Sequence, residues 1–198
     1  MIWESSYWKE DLLLLSEKIN KEYRVNTYSE QLGVEFEKDV MFALYSVRKL
    51  IEASKVSTNI SGRQLKVQTF RNMKNVTKMN WHRINELFDL KSPTKENIIG
   101  ASTLYNQIIH SYIFIISTDD EDVIDGFFFC SDKTRNEKLY HIELKEFDKF
   151  IKVVGSDYPN EGQFVYDEWI NDYRVYARTK QTTIGKIYYF LKSIKRKF

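Results

Sequence analysis

The period of the apolar residues changes near Tyr112, and this constrains the fold more than any motif in the chain. Before it, apolar side chains recur at helical spacing. Over residues 5–24, Trp8, Leu12, Leu15, Ile19 and Tyr23 share one helix face. Ser5 or Ser6 stands where an N-cap belongs. Over 29–56, Phe36, Val40, Ala43, Val47, Leu50 and Ile51 form a stripe, with Glu35, Lys38, Asp39 and Arg48 off it. A polar run at 57–62 closes that helix. After Tyr112 the period falls to two. Ile113 to Ile116 is β-branched and aromatic, Asp119 to Asp122 is an acidic turn, Val123 to Cys130 is apolar, and Leu139 to Leu144 alternates. That is a three-stranded antiparallel meander over 113–144.

The predicted fold class is therefore α+β, in a single compact domain over 1–198. A helical layer spans about 1–112, a small antiparallel β-meander 113–144, and a C-terminal helical part 145–198. Between the long helix and the meander, Leu65, Val67 and Thr69 alternate as a strand, and Val76 to Met79 is its expected hairpin partner. Trp81, Ile84, Leu87 and Phe88 suggest a short helix. Ser92-Pro93 reads as a helix start, with serine capping and proline in the first position, so a helix is expected over 93–111. Phe147, Phe150, Ile151 and Val154 predict a helix ended by Gly155. Residues 156–180 show no clear period, and Val165, Trp169, Val175 and Tyr176 are expected core contacts. A last helix is expected over 181–196.

Composition narrows the function classes. With 42% hydrophobic and 29% charged residues the chain is globular rather than disordered. A net charge of +2 gives no global electrostatic case for nucleic acid, so any such case is local. The single Cys130 excludes an internal disulfide framework and a cysteine-based zinc site, and points to a reducing cytoplasm. The N-terminus lacks a basic segment followed by an apolar one, and no apolar run approaches the roughly 20 residues of a membrane-spanning helix. No cofactor is expected, because phosphate-cradling and dinucleotide-binding loops are absent. No metal is expected either. No histidine–carboxylate pair has helical ligand spacing, and the acidic turn does not fit a calcium loop. Cys130, in the Phe127-Phe128-Phe129 run, reads as a packed thiol. His82 reads as a cap or surface residue, and His141 sits in an alternating strand with Tyr140 and Ile142 on the opposite face.

The candidate site is in the run Tyr105-Asn106-Gln107-Ile108-Ile109-His110. Asn106 and His110 are four residues apart, so on a helix they share a face. Two accounts fit them: buried polar residues bonded to each other, to backbone or to the following loop, or functional side chains. The run resembles the signature of HEPN-type domains, small helical proteins of which many are bacterial ribonucleases, toxins or defence components. The family pattern has an arginine, then a polar residue, often asparagine, then a histidine. Asn106 and His110 match the last two, and Tyr105 stands in place of the arginine. The amphipathic helix over 37–53 also resembles the one packed beside the motif helix. The likeness covers about 1–115.

What it implies is metal-independent RNA cleavage, or a binding role on a degenerate core in a defence or toxin–antitoxin setting. Cleavage needs a base for the 2′-hydroxyl, which His110 suits, and a fixed positive charge, which Tyr105 cannot supply. Arg48, Lys49 and Arg83 are the cations another element can bring. At the far end, Lys186, Lys192, Lys195, Arg196 and Lys197 flank an apolar stripe of Ile184, Ile187, Tyr188, Leu191 and Ile194. A basic amphipathic helix of this kind contacts nucleic acid, an anionic membrane surface or a partner groove, or simply docks by its stripe. The leading expectation is a non-enzymatic binding or accessory protein with a protein partner or a second copy. A ribonuclease and a nucleic-acid or membrane-surface adaptor are the alternatives.

Overall fold

The structure, a computed structural model, describes residues 2–92 and 94–179. The helix expected over 181–196, and with it Lys186, Lys192, Lys195, Arg196 and Lys197, lies outside the described residues.

The helical periodicity is realised by two long elements. Helix α1 spans Ser6–Lys18 and continues through a π-helical turn, Ile19–Tyr23; α2 spans Glu30–Glu52, and the single turn α3 (Thr58–Ser61) follows it. The Ser29 hydroxyl caps α2 by accepting from the Leu32 N–H at 3.2 Å. The two helices run antiparallel. Trp8 meets Tyr45 at one end, with ring centroids 6.4 Å apart, and Lys18 meets Asp39 and Glu35 at the other.

The meander is present, inside a larger sheet. Strands β3 (Ser111–Thr118), β4 (Ile124–Ser131) and β5 (Lys138–Glu143) pair in sequence. Asp119 shapes the β3–β4 turn by accepting from the Glu121 and Val123 N–H groups, each at 3.0 Å. Strand β1 (Gln64–Arg71) adds to β5, and β2 (Thr94–Gly100) adds to β1, giving the order β2-β1-β5-β4-β3 with every pair antiparallel.

One face of this sheet meets α2, the short α5 (Ala101–Ile109) and α6 (Leu144–Gly155), and α1 packs on α2 and α6 in the same core. Phe127 is the node of that core. It touches the rings of Phe36, Phe114, Phe129 and Phe147 at 5.2–5.8 Å. Among the described residues the opposite face is covered at one end only. There Val76, Ile84, Leu87 and Phe88, from the excursion that carries the single turn α4 (Ile84–Leu87), pack on Phe70, Ile113, Cys130 and Leu139.

Four sequence expectations are corrected. The helix expected over 93–111 is a strand up to Gly100 and a helix only from Ala101. The chain turns at Leu90 to Ser92, and the residues from Thr94 pair along β1, whose edge needs a hydrogen-bonding partner. Val76 to Met79 is accordingly not the partner of β1 and forms turns instead. The stretch after α6 is not helical up to Arg178. Strands β6 (Glu161–Asp167) and β7 (Asp172–Arg178) form a two-stranded hairpin, with Asn171 at φ 50° in its turn. Val165, Trp169 and Tyr176 are 42%, 98% and 45% exposed rather than core residues, and Ala177 is the buried anchor. Among the described residues no layer covers these side chains, so apolar character did not lead to burial.

Candidate functional site

Helix α5 buries Ala101, Leu104 and Ile108. Asn106 and His110 are half a turn or so away from that stripe and are both exposed; His110 is the C-cap residue that follows the helix. Neither side chain is buried polar matter, and neither lines a described cavity. The polar side chain that does join α5 to the sheet is Gln107. Its Oε1 accepts from the Ser131 N–H at 2.7 Å and the Thr134 hydroxyl at 2.8 Å. Of the three cations considered, Arg48 approaches the motif helix, with its guanidinium 6.0 Å from the centroid of the Tyr105 ring. Glu52 holds that guanidinium at 2.6 Å and also takes Lys49 at 2.9 Å. The charge next to Tyr105 is thus already paired. His82 is exposed beside Trp81.

The histidine with a constructed environment is His141 on β5. It lies on the half-open face of the sheet, with its ring centroid 4.6 Å from that of Phe128. Its Nε2 is 2.8 Å from the Ser117 hydroxyl, and that oxygen is 2.5 Å from Asp125 Oδ1. A hydroxyl has one proton, and the carboxylate can only accept. Ser117 therefore donates to Asp125, and the imidazole Nε2–H donates to Ser117. This leaves Nδ1 as the bare nitrogen, and it is buried with no hydrogen-bond partner. Burial lowers the imidazole pKa, with Asp125 and Glu143 opposing. A serine nucleophile needs the imidazole to take its proton. Here the imidazole donates towards the hydroxyl, so the chain orients these side chains rather than activating Ser117.

Two open cavities of about 480 and 270 Å³ flank His141. Their rims mix Arg24, Lys66, Lys145 and Lys149 with Asp119, Glu143 and Glu146, so neither presents one sign of charge. Among the described residues no group of three histidine, cysteine or carboxylate side chains is placed to hold a metal ion. Burial pushes the Cys130 thiol up to about 12, which makes it inert. No helix among the described residues is long and apolar enough to cross a membrane.

The helical layer has a third feature, which lies outside the sequence motifs. Between α1 and α2 runs a half-open groove of about 500 Å³. Trp8, Leu12, Leu15 and Ala43 form its floor. Tyr7, Phe42 and Tyr45 stand on its rim, 69%, 71% and 45% exposed. Asp11 and Asp39 line it and no cation does; Asp39 is engaged by Lys18 at 2.9 Å and by the Tyr23 hydroxyl at 2.5 Å. The sequence signal for it was the second apolar row on each helix, Tyr7 with Leu14 and Val34 with Phe42 and Tyr45. The core stripe obscures that row. No model of a known protein family matches this chain, and no match was found among curated proteins or solved structures.

Proposed function

We propose that this chain is a non-enzymatic binding protein that takes a helical segment of a partner protein in the groove between α1 and α2. The observation behind this is the exposure of Tyr7, Phe42 and Tyr45 around an apolar floor. Exposed single apolar residues are ordinary, but an aromatic rim around a concave apolar floor is the form of a helix-in-groove interface. Two antiparallel helices offer a third helix a seam to pack in. Asp11 on the wall favours a ligand with basic residues flanking its apolar ridge. The resemblance at Asn106 and His110 suggests a bacterial defence or toxin–antitoxin setting, and the lone buried Cys130 suits a reducing cytoplasm.

The test is a titration of the full chain against a fluorescent amphipathic helical peptide with leucines on one face and lysines beside them. Binding is expected to weaken about tenfold in Phe42→Asp, the order of effect of losing a well-packed aromatic anchor. Phe42 is exposed, so the substitution leaves the fold intact. Equal binding by the parent and Phe42→Asp overturns the reading.

A further inference from the structure

We propose that the apolar face of the β6–β7 hairpin is a self-association surface, covered by the same face of a second copy of this chain. This surface is separate from the α1–α2 groove and does not depend on it. The hairpin register places Gly162 opposite Ala177, Phe164 opposite Val175, and Tyr166 opposite Tyr173, so these six residues share one face. No charged side chain falls on it. The charged residues Glu161, Asp167, Asp172, Arg174 and Arg178 all fall on the other face. That other face mixes the charges with Gln163, Val165 and Tyr176, whereas the first is free of charge throughout, as in a strand pair with one face buried. Only Ala177 is buried, however. Phe164, Tyr166 and Tyr173 are 68%, 49% and 57% exposed, and Trp169 and Ile170 at the turn are 98% and 54% exposed.

An isolated two-stranded hairpin is marginally stable in water, so a face like this calls for a cover. Its size and chemistry fit a second copy. At roughly 200 Å² for each large side chain, the three rings on the face and the two apolar residues of the adjoining turn together present about 650 Å² of surface. A stable pair needs about 800 Å² per partner, which the surrounding backbone and polar rim complete. A neutral face meets its own copy without like-charge repulsion, and a twofold axis makes one patch serve both sides. The face is also preorganised. Tyr166 and Tyr173 pack edge to face at 5.2 Å, and the Tyr166 hydroxyl donates to Asn171 Oδ1 at 2.6 Å.

Pairing by strand edges is the less favourable geometry. At the outer edge of β7 the Ala177 N–H already donates to the Thr58 hydroxyl at 3.1 Å. Antiparallel pairing of β6 with itself would set Glu161 against Asp167, two like charges facing each other.

The experiment is sedimentation velocity on the full chain from low to high micromolar concentration. A dimer is expected, with Phe164→Asp weakening it about 100-fold and the groove variant Phe42→Asp leaving it unchanged. A cross-linking arm keeps the proposal testable if Phe164→Asp disrupts the hairpin. On oxidation, Tyr173→Cys is expected to give a covalent dimer and Gln163→Cys, on the opposite face, none. A chain that stays monomeric at high concentration overturns the proposal. So does a dimer lost in Phe42→Asp and kept in Phe164→Asp, or covalent dimer from Gln163→Cys alone.

Discussion

Gly126→Ala is the smallest change that tests how β4 and β5 hold His141. A Cβ at this position would lie 2.5 Å from the Ile142 carbonyl oxygen, 2.8 Å from His141 Nε2 and 3.0 Å from its Cε1. Ordinary contact begins near 3.4 Å, so the Cβ falls about 0.9 Å short of it against backbone that cannot swing away. Overpacking of this kind costs about 1–3 kcal/mol. Expelling the imidazole also gives up its bond to Ser117, worth about 1 kcal/mol. Replacing glycine returns about 0.5 kcal/mol through a less flexible unfolded chain. The net cost is about 1.5–3.5 kcal/mol, which in a chain of this size lowers the melting temperature by roughly 3–14 °C. Circular dichroism melting measures the loss. NMR titration of His141 measures the displacement, since a ring pushed into solvent regains an ordinary, higher pKa. Ser117→Ala is the control that removes the hydrogen bond and leaves the packing. A Gly126→Ala chain melting at the parent temperature with an unchanged His141 titration would refute the close-approach argument.

The pH dependence follows from the same residue. The folded pKa of His141 is depressed below its ordinary value of about 6.5, so as pH falls the unfolded chain takes up this proton first. The contribution is therefore fully present above about pH 6.5 and is lost as pH falls from there through the folded pKa. Urea midpoints should drop over that window in the parent and less so in His141→Gln; equal slopes would remove His141 from the account. For His110→Ala, exposure of the side chain predicts a stability change within about 0.5 kcal/mol and an unaltered melting curve. Run beside an RNA cleavage assay, this variant also decides the ribonuclease alternative. Cleavage by the parent that His110→Ala abolishes would establish an enzyme and displace the binding reading.

The candidate site was legible only in part. Asn106 and His110 do lie in and at the end of one helix, as their spacing implied, but that spacing did not say which way the shared face points. Ala101, Leu104 and Ile108 claim the buried side, which leaves the pair in solvent. The role of His141 depends on Ser117 and Asp125 on other strands, and that of Gly126 on His141 and Ile142 across the β4–β5 pair, contacts that come from register. The groove and the hairpin surface were hidden for a related reason. An apolar residue such as Phe42 or Phe164 looks the same in the sequence whether or not another layer covers it.

The sequence by itself determined the elements whose periodicity is long and unbroken. The stripe of Phe36, Val40, Ala43, Val47 and Leu50 makes α2, and the alternation after Tyr112 makes the meander, because each has one apolar face that only one backbone period can bury. Tertiary structure decided what short segments became. Residues 94–100 are compatible with a helix start, and they form β2 because β1 offers an unpaired edge. Residues 161–178 became a hairpin whose apolar face Ala177 alone anchors. Local propensity there is worth only a few tenths of a kcal/mol per residue, so hydrogen-bond partners and packing surfaces supplied from far along the chain settle the outcome.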